Sequence, residues 1–188
     1  MSTQEKKTTY TFEEYLEVEK DTQQRWEYHF GEIYAMAGGS KKHNILTLNM
    51  AFQLRNATLG KGCQIFSENV KLELATGKQY VYPDVMLTCN AQDLKDNTDT
   101  IVRYPSLVVE VLSETTEAYD HSGKKLAYFG LESLLYYVLV WQKKPMIEVF
   151  ERLENSWNYR NYSLDEQQIN FPLLDFSLNI AELYRDIV

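Results

Sequence analysis

The segment Leu107–Leu112 constrains the fold more than any other part of the chain, because five of its six residues are aliphatic. A continuous apolar run of this length is typical of a strand that is buried on both faces, as in a sheet covered by helices. The remaining residue is Glu110, and burying a carboxylate without a partner costs several kcal/mol. The segment therefore predicts a covered sheet in which Glu110 meets either a metal ion or a cationic side chain.

Helix signals flank this strand on both sides. Thr11 and Glu14 have the spacing of a capping box, which predicts a short helix at the start of the domain. Ser40 is a predicted N-cap for a longer helix that Gly60 ends, and Asn179 is a predicted cap for a last short helix. The apolar face of the longer helix is expected to consist of Ile45, Leu48 and Phe52.

Short segments rich in β-forming residues fill most of the remaining chain. A hairpin is predicted over residues 25–34, and residues 90–100 are predicted to form a loop. The other predicted strands are 64–66, 70–74, 80–87, 134–141, 146–152 and 157–162, the last two as an antiparallel pair. No repeat or linker interrupts the pattern, so we expect a flexible N-terminus, residues 1–9, and one α/β domain, residues 10–188.

The charge balance restricts the function classes. The chain has 19 basic and 27 acidic residues, a net charge of −8, which argues against a protein that coats nucleic acid. It is compatible with a protein whose acidic residues gather at a metal site. No apolar run approaches the roughly 20 residues that span a bilayer, Met1–Thr9 lacks a signal core, and Cys63 and Cys89 are expected to be reduced thiols. We therefore expect a cytoplasmic protein without membrane contacts.

Two further motifs contain residues that could act together with Glu110. Asp84 follows a proline, which places this acid where a strand begins or bends, although such a pair is often only a turn. Asp120, Lys124 and Tyr128 recur every four residues, so on a helix they share one face, either at a site or as an exposed ion pair. Two carboxylates can hold Mg²⁺ through oxygen ligands, and a nearby ammonium can stabilise charge on a phosphate.

These motifs resemble those of a known family. Pro83-Asp84 followed by Glu110 is similar to the PD-(D/E)XK nuclease pattern. A closer resemblance, to the Uma-type restriction endonuclease family, runs over about residues 10–152. It is carried by Arg25–Ile33, His43, Val109–Ser113, Asp120, Lys124, Tyr128 and Tyr137–Val140. The resemblance implies a restriction-endonuclease-like core, with a central mixed sheet flanked by helices and extra antiparallel strands, a Mg²⁺ or Mn²⁺ cofactor, and DNA as substrate.

The chain departs from the superfamily pattern at Leu112, where a lysine is expected two residues after Glu110. The resemblance implies that Lys124 takes over this role, and we expect its removal to lower turnover and to leave stability almost unchanged. The implied metal ligands are Asp84 and Glu110. The implied catalytic residues are Asp84, Glu110, Lys124 and Glu27, with His43, Asp120 and Glu32 as further candidates. Glu27 is favoured over Glu32, since it lies between two aromatic residues near the family's opening motif.

These residues favour a Mg²⁺-dependent DNA endonuclease that hydrolyses phosphodiester bonds. The acidic charge favours the alternative, a non-catalytic domain that keeps the nuclease fold for binding or oligomer assembly. A glycoside hydrolase is less favoured, because its carboxylate pair does not require Lys124. A homodimer is expected from aromatic residues such as Trp141 and Trp157, and from the two cuts that a duplex needs. The sequence specificity and strandedness of the substrate stay open.

Overall fold

The structure, a computed structural model, describes residues 9–187 apart from 23, 37, 114–116 and 118–119. The helices are α1 (Phe12–Thr22), α2 (Lys41–Ala57), α3 (Lys125–Phe129) and α4 (Ile180–Leu183), with a π-helical turn at Asp120–Lys124 and a 3₁₀ turn at Pro172–Leu174. The strands are β1 (Trp26–His29), β2 (Glu32–Ala35), β3 (Gln64–Ser67), β4 (Lys71–Ala75), β5 (Gln79–Val81), β6 (Val85–Thr88), β7 (Ile101–Val102), β8 (Leu107–Leu112), β9 (Tyr136–Trp141), β10 (Met146–Arg152), β11 (Trp157–Ser163), β12 (Gln168–Phe171) and β13 (Phe176–Asn179). The predicted flexible segment, residues 1–9, lies outside the described residues except for Thr9.

Two sheets form the body of the domain. The larger has the strand order β11-β10-β9-β8-β6-β3, and the smaller has the order β2-β1-β5-β4-β7. In the larger sheet β8 and β9 are parallel, while its other neighbouring strands are antiparallel. A separate hairpin, β12–β13, follows. The predicted central mixed sheet with additional antiparallel strands is confirmed.

Strand β8 is buried along its whole length, as its apolar sequence predicts. Side chains alternate between the two faces of a strand. Leu107, Val109 and Val111 pack in the same core as α2 and the C-terminal hairpin. Val108 and Leu112 pack in a second core with residues of the smaller sheet and α3. The alternation therefore directs Glu110 toward the space between the two sheets.

Helix α2 covers the larger sheet with a different face from the one predicted. The Oγ of Ser40 accepts a hydrogen bond from the backbone N–H of His43, so the predicted N-cap is confirmed. The buried apolar residues of the helix are Leu46, Met50 and Leu54, whereas Leu48 and Phe52 are 58% and 68% exposed. The prediction was wrong because α2 carries apolar residues on two faces, and only contact with the sheet selects one of them.

Helix α1 holds the smaller sheet in place. The predicted capping box is confirmed, with the Thr11 N–H donating to Glu14 Oε2 at 2.8 Å and the Glu14 N–H donating to Thr11 Oγ1 at 3.2 Å. Farther along α1, the Glu19 carboxylate forms a 2.7 Å ion pair with the buried Lys71 of β4. This half-buried pair fixes α1 against the sheet that carries β1.

The predicted strand over residues 80–87 is two strands in the structure. β5 ends at Val81 and belongs to the smaller sheet, whereas β6 begins at Val85 and belongs to the larger one. Proline removes a ladder hydrogen bond, which explains the break at Pro83. The chain therefore changes sheets just before Asp84, and this places the acid at the junction.

Cys63 and Cys89 form a disulfide, so the expectation of two reduced thiols was wrong. Gln64 pairs with Thr88 across β3 and β6, and the cysteines are the next facing positions on this ladder, with their Cα atoms 4.1 Å apart. The expected cytoplasmic location therefore has no support from the cysteines. No helix in the described part of the chain is long and apolar enough to cross a membrane.

Candidate active site

A cleft of about 750 Å³ opens where the two sheets meet. Its lining comes from the β1–β2 hairpin, the start of α2, the end of β8 and the turn between β9 and β10. Five ionisable residues, referred to below as the central cluster, lie together in this cleft. They are Glu27, Asp84, Glu110, Asp120 and Lys124.

Asp84 and Glu110 lie side by side because of the strand register. Val85 of β6 pairs with Val109 of β8, so the residue before Val85 faces the one after Val109. The Asp84 N–H points to Glu110 Oε2 at 3.4 Å, and the Val111 N–H donates to Asp84 Oδ2 at 2.7 Å. Two carboxylates that are 26 residues apart in the chain are thereby held side by side where β6 begins next to β8, inside the sheet.

The lysine reaches this pair from the segment that connects β8 to β9. Its Nζ lies 3.3 Å from Glu110 Oε1, 3.2 Å from Glu27 Oε1 and 3.7 Å from Asp120 Oδ1. Tyr128, one turn farther on, donates a 2.5 Å hydrogen bond to Glu110 Oε1. The residues predicted to share a face, Asp120, Lys124 and Tyr128, therefore all lie around Glu110.

The start of this helical segment is a π-helical turn, Asp120–Lys124, rather than the continuous α-helix that the four-residue spacing suggests. Both end residues are buried, and Tyr137 of β9 donates a 3.1 Å hydrogen bond to the Asp120 carbonyl. π-Helical turns are rare, and they are found frequently at functional sites. The turn here presents the Asp120 and Lys124 side chains to the same space.

The structure brings one of the two alternative acids into the cleft. Glu27 of β1 is only 8% exposed and contacts Lys124, and its Oε2 lies 3.3 Å from Nε2 of His29. Glu32 of β2 is exposed, and its carboxylate accepts a hydrogen bond from Tyr34 on the same strand. Glu27 thus belongs to the central cluster, and Glu32 does not.

His43 approaches Asp84 from the first turn of α2. Its Nε2 lies 3.1 Å from Asp84 Oδ2. Gly39 makes room for the ring, since a Cβ at this position would lie 3.0 Å from His43 Nδ1. Burial lowers the pKa of His43, but the adjacent Asp84 carboxylate outweighs this effect and raises the pKa above its ordinary value. His43 is therefore placed against Asp84, where the contact restricts how this carboxylate can turn.

The central cluster contains four acids and one lysine. Burial raises the pKa of Glu110 well above its ordinary value, and Asp120 and Asp84 raise it further, against the opposing effect of Lys124. Burial alone would lower the pKa of Lys124, yet the surrounding carboxylates raise it well above its ordinary value. Burial therefore favours the neutral form of Glu110, whereas the surrounding carboxylates favour the charged form of Lys124.

The oxygen ligands in the cleft suit Mg²⁺ better than a metal ion that needs all of its ligands from protein side chains. Among the residues that the structure describes, no three His, Cys, Asp or Glu side chains form a group that could hold a metal ion. Mg²⁺ usually takes only one or two carboxylates and keeps water or substrate phosphate in its other positions. Asp84 and Glu110 are adjacent carboxylates that could supply such a pair.

Three residues near the central cluster were not predicted from the sequence. His29 lies two residues after Glu27 on β1, so the alternation of a strand would have placed both on one face. Gln142 accepts from Ser40 Oγ at 3.0 Å and donates to the Leu112 carbonyl at 2.8 Å, which ties the start of α2 to the end of β8. Tyr34 lines the cleft from β2. No local sequence signal marks Gln142, because its contacts are far away in the chain.

The fold is that of an α/β protein of the restriction-endonuclease-like class. The chain superposes on the crystal structure of a putative nuclease belonging to DUF820 from Anabaena variabilis with a TM-score of 0.75. The match covers 95% of this chain and 99% of that chain at 15% identity, so it establishes a shared fold.

The chain belongs to the Uma2 family, described as putative restriction endonuclease, whose model matches residues 12–181. An uncharacterized protein of Synechocystis sp. is 33% identical over 176 residues, which are 93% of this chain and 91% of the relative. A second uncharacterized protein of the same organism is 30% identical over 165 residues, with 87% and 93% covered. The family resemblance carried by the sequence motifs is confirmed.

Proposed function

We propose that this protein is a Mg²⁺-dependent DNA endonuclease that hydrolyses phosphodiester bonds, with Mn²⁺ as an alternative metal. The observation that carries the proposal is the convergence of Asp84, Glu110 and Lys124 in one cleft, although they come from two strands and a connecting segment. Membership of a family of putative restriction endonucleases supports a nuclease, and so does the shared fold with the putative nuclease from Anabaena.

In the proposed reaction Asp84 and Glu110 are the residues that would hold the metal ion. When bound, this ion polarises the phosphate and lowers the pKa of a bound water. Lys124 stabilises the negative charge that builds on the phosphate oxygens as water adds and the phosphorus–oxygen bond breaks. The lysine can do so because its contacts with Glu110, Glu27 and Asp120 hold the ammonium in one position.

His43 and Glu27 act in this scheme as positioning residues. The imidazole ring of His43 fixes one oxygen of Asp84, and the carboxylate of Glu27 fixes Lys124. Tyr128 donates to Glu110 Oε1 and restricts how this carboxylate can turn. Each residue acts through a group that would touch the metal ion or the phosphate, and none has to react itself.

One observation favours a second candidate, a non-catalytic domain that uses the same fold for binding or assembly. Lys124 lies within 4 Å of three carboxylates, so the network can be satisfied as a buried ion-pair structure without a substrate. Buried ion pairs of this kind occur in proteins that have no catalytic function.

A cleavage assay separates the two candidates. Wild-type protein is incubated with supercoiled plasmid, linear duplex and single-stranded oligonucleotides, with Mg²⁺, with Mn²⁺ and with a chelator. We expect metal-dependent cleavage that Glu110→Gln abolishes, and Mn²⁺ binding by calorimetry that the same substitution weakens. The non-catalytic domain is favoured if the folded wild-type protein neither binds the ion nor cleaves any substrate.

A further inference from the structure

The central cluster is recessed, and this limits which DNA can reach it. The exposed fractions of Glu110 and Lys124 are 3% and 8%, and that of Asp120 is 2%. A reacting phosphate therefore has to enter the cleft rather than pass over its mouth. Duplex DNA is stiff, with a persistence length of about 50 nm, and bending it sharply costs several kcal/mol. An unpaired strand bends at every nucleotide and can enter without this cost.

Few lysines and arginines line the cleft within the described part of the chain. They are Arg25 at the start of β1, Lys42 in the first turn of α2 and Lys143 after β9, apart from the buried Lys124. Proteins with strong duplex affinity often neutralise about 6–10 phosphates, and the acidic net charge of this chain offers no additional attraction. These lining cations, on two sides of the cleft, suit a short stretch of one backbone.

Tyr34 gives the cleft a surface for a base. Its side chain lines the cleft and is 52% exposed. The ring packs edge-on against His29, with the ring centroids 5.4 Å apart, and His29 in turn contacts Glu27 beside Lys124. The exposed ring is therefore anchored to the central cluster through two side chains. A base can stack on such a ring only if its own face is free, which in a duplex is prevented by the neighbouring base pairs.

We propose that the cleft accepts a single, unpaired DNA strand, with a base stacked on Tyr34 and the backbone held by Arg25, Lys42 and Lys143. This inference rests on the proposed nuclease function and names its substrate class. It follows from the depth of the central cluster, the small number of lining cations and the exposed aromatic ring.

Binding is measured first, in a form that does not cleave. Glu110→Gln protein with Mg²⁺ is titrated against fluorescein-labelled dT12 and against a 12-base-pair duplex, and Asp84→Asn protein serves as a second non-cleaving form. We expect at least tenfold tighter binding of the single strand. The slope of log K against log salt should be about −2, as three phosphate contacts on a single strand predict.

Tyr34→Ala, made in the same non-cleaving protein, should weaken single-strand binding roughly tenfold, because the binding free energy of one stacked base corresponds to about this factor in affinity. Tyr34→Phe keeps the ring and should bind as the parent does. Tyr159→Ala removes an aromatic ring that is 49% exposed but lies outside the cleft lining, and it should also have no effect. Equal or tighter binding of the duplex, or unchanged binding by Tyr34→Ala, overturns the inference.

Cleavage by the wild-type protein then tells the two proposals apart. Mg²⁺-dependent cleavage of duplex but not of single strands leaves the nuclease proposal standing and rejects the unpaired strand as substrate. If single strands bind in a way that depends on Tyr34 but no DNA is cleaved, the cleft accepts an unpaired strand and the nuclease proposal is rejected. Both proposals are supported if single strands are cleaved faster than duplex, and if Tyr34→Ala reduces this rate while Tyr34→Phe retains it.

Discussion

Lys124 and Lys125 are neighbours in the sequence, but their side chains have different surroundings. Lys124 is 8% exposed and contacts three carboxylates, whereas the Lys125 ammonium lies 5.2 Å from the ring centroid of Phe150. Successive residues on a helix point about 100° apart, so only one of the two can face the end of β8. The π-helical turn gives that position to Lys124.

Changing Lys124 to Ala should lower the rate of DNA cleavage by about 10²–10³, because an electrostatic contact with the reacting phosphate is lost. The burial of this lysine changes the expectation for stability. The substitution leaves several acids without their cation, and breaking a buried pair costs about 3–5 kcal/mol. Urea unfolding should reveal this loss in parallel with the kinetics. Lys125→Ala is the matched control. An inactive Lys125→Ala variant together with an active Lys124→Ala variant would contradict the assignment of Lys124 as the catalytic lysine.

Glu27 and Glu32 provide a second matched pair on one hairpin. Glu27→Gln should reduce cleavage about 10- to 100-fold, as is typical when a residue that orients a reacting group is lost. Glu32→Gln should leave the rate unchanged, since this side chain is exposed and bonded to Tyr34. Single-turnover rates at saturating Mg²⁺ test both variants. A larger loss of rate from Glu32→Gln than from Glu27→Gln would show that Glu27 is the wrong acid.

The sequence indicates some site residues and hides others for physical reasons. Asp84 and Glu110 stand out locally, one after a proline and the other within an apolar strand. Lys124 required the family spacing, because an isolated lysine on a polar helix carries no distinguishing signal. Cys63 and Cys89 meet only through the register of β3 and β6, and this register depends on pairing across the sheet.

At the level of helices and strands, local signals predicted where elements begin, but they did not predict which face is buried. Ser40 and Asn179 cap their helices as predicted, because capping depends on residues within one turn. The burial of Leu46 rather than Leu48 on α2 depends on the sheet beneath the helix. The hairpin β12–β13 was not predicted, since its short strands have no strong β-forming run.

Arg152 at the end of β10 binds three carbonyl groups of one short segment, residues 129–134. Its guanidinium donates to the carbonyls of Phe129, Leu131 and Leu134, and it lies 4.4 Å from the ring centroid of Trp157. These carbonyls lie at the end of α3 and in the turn that follows it, so the arginine supports the crossover from β8 to β9.

Replacing Arg152 by Ala should destabilise the protein by about 2–3 kcal/mol, because three carbonyls lose a charged donor. For a chain of this size the melting temperature should fall by about 4–12 °C. Arg160→Ala, which removes an exposed arginine from the neighbouring strand β11, should have almost no effect. Scanning calorimetry compares the two variants, and equal melting temperatures would show that the Arg152 contacts contribute nothing net.

At the scale of the whole molecule, the aromatic residues that suggested a homodimer are largely used within the chain. Trp157 stacks on Phe129 with the ring centroids 4.0 Å apart, and Trp141 donates a hydrogen bond to Glu148. The exposed apolar residues Leu48 and Phe52 lie instead on the outer face of α2. The homodimer stays a prediction, and this face is the surface through which we expect it to form.

Phe52→Glu should therefore convert a dimer into a monomer in sedimentation experiments at micromolar concentration. Every residue of the central cluster comes from one chain, so cleavage of a single strand per chain should be the same for both forms. Wild-type protein that sediments as a monomer at high micromolar concentration would contradict the predicted association.

Strands β8 and β9 are parallel, so the chain has to return along the sheet between Leu112 and Tyr136. The returning segment is also the one that supplies Asp120, Lys124 and Tyr128. For protein engineering this makes the connection unsuitable for insertions, because a tag placed there would displace the groups that surround Glu110. The turn over residues 153–156 joins antiparallel neighbours, is exposed and lies outside the cleft lining. A fluorescent domain inserted in this turn should give a labelled protein that still cleaves DNA at the wild-type rate, whereas the same insertion between β8 and β9 should give an inactive one.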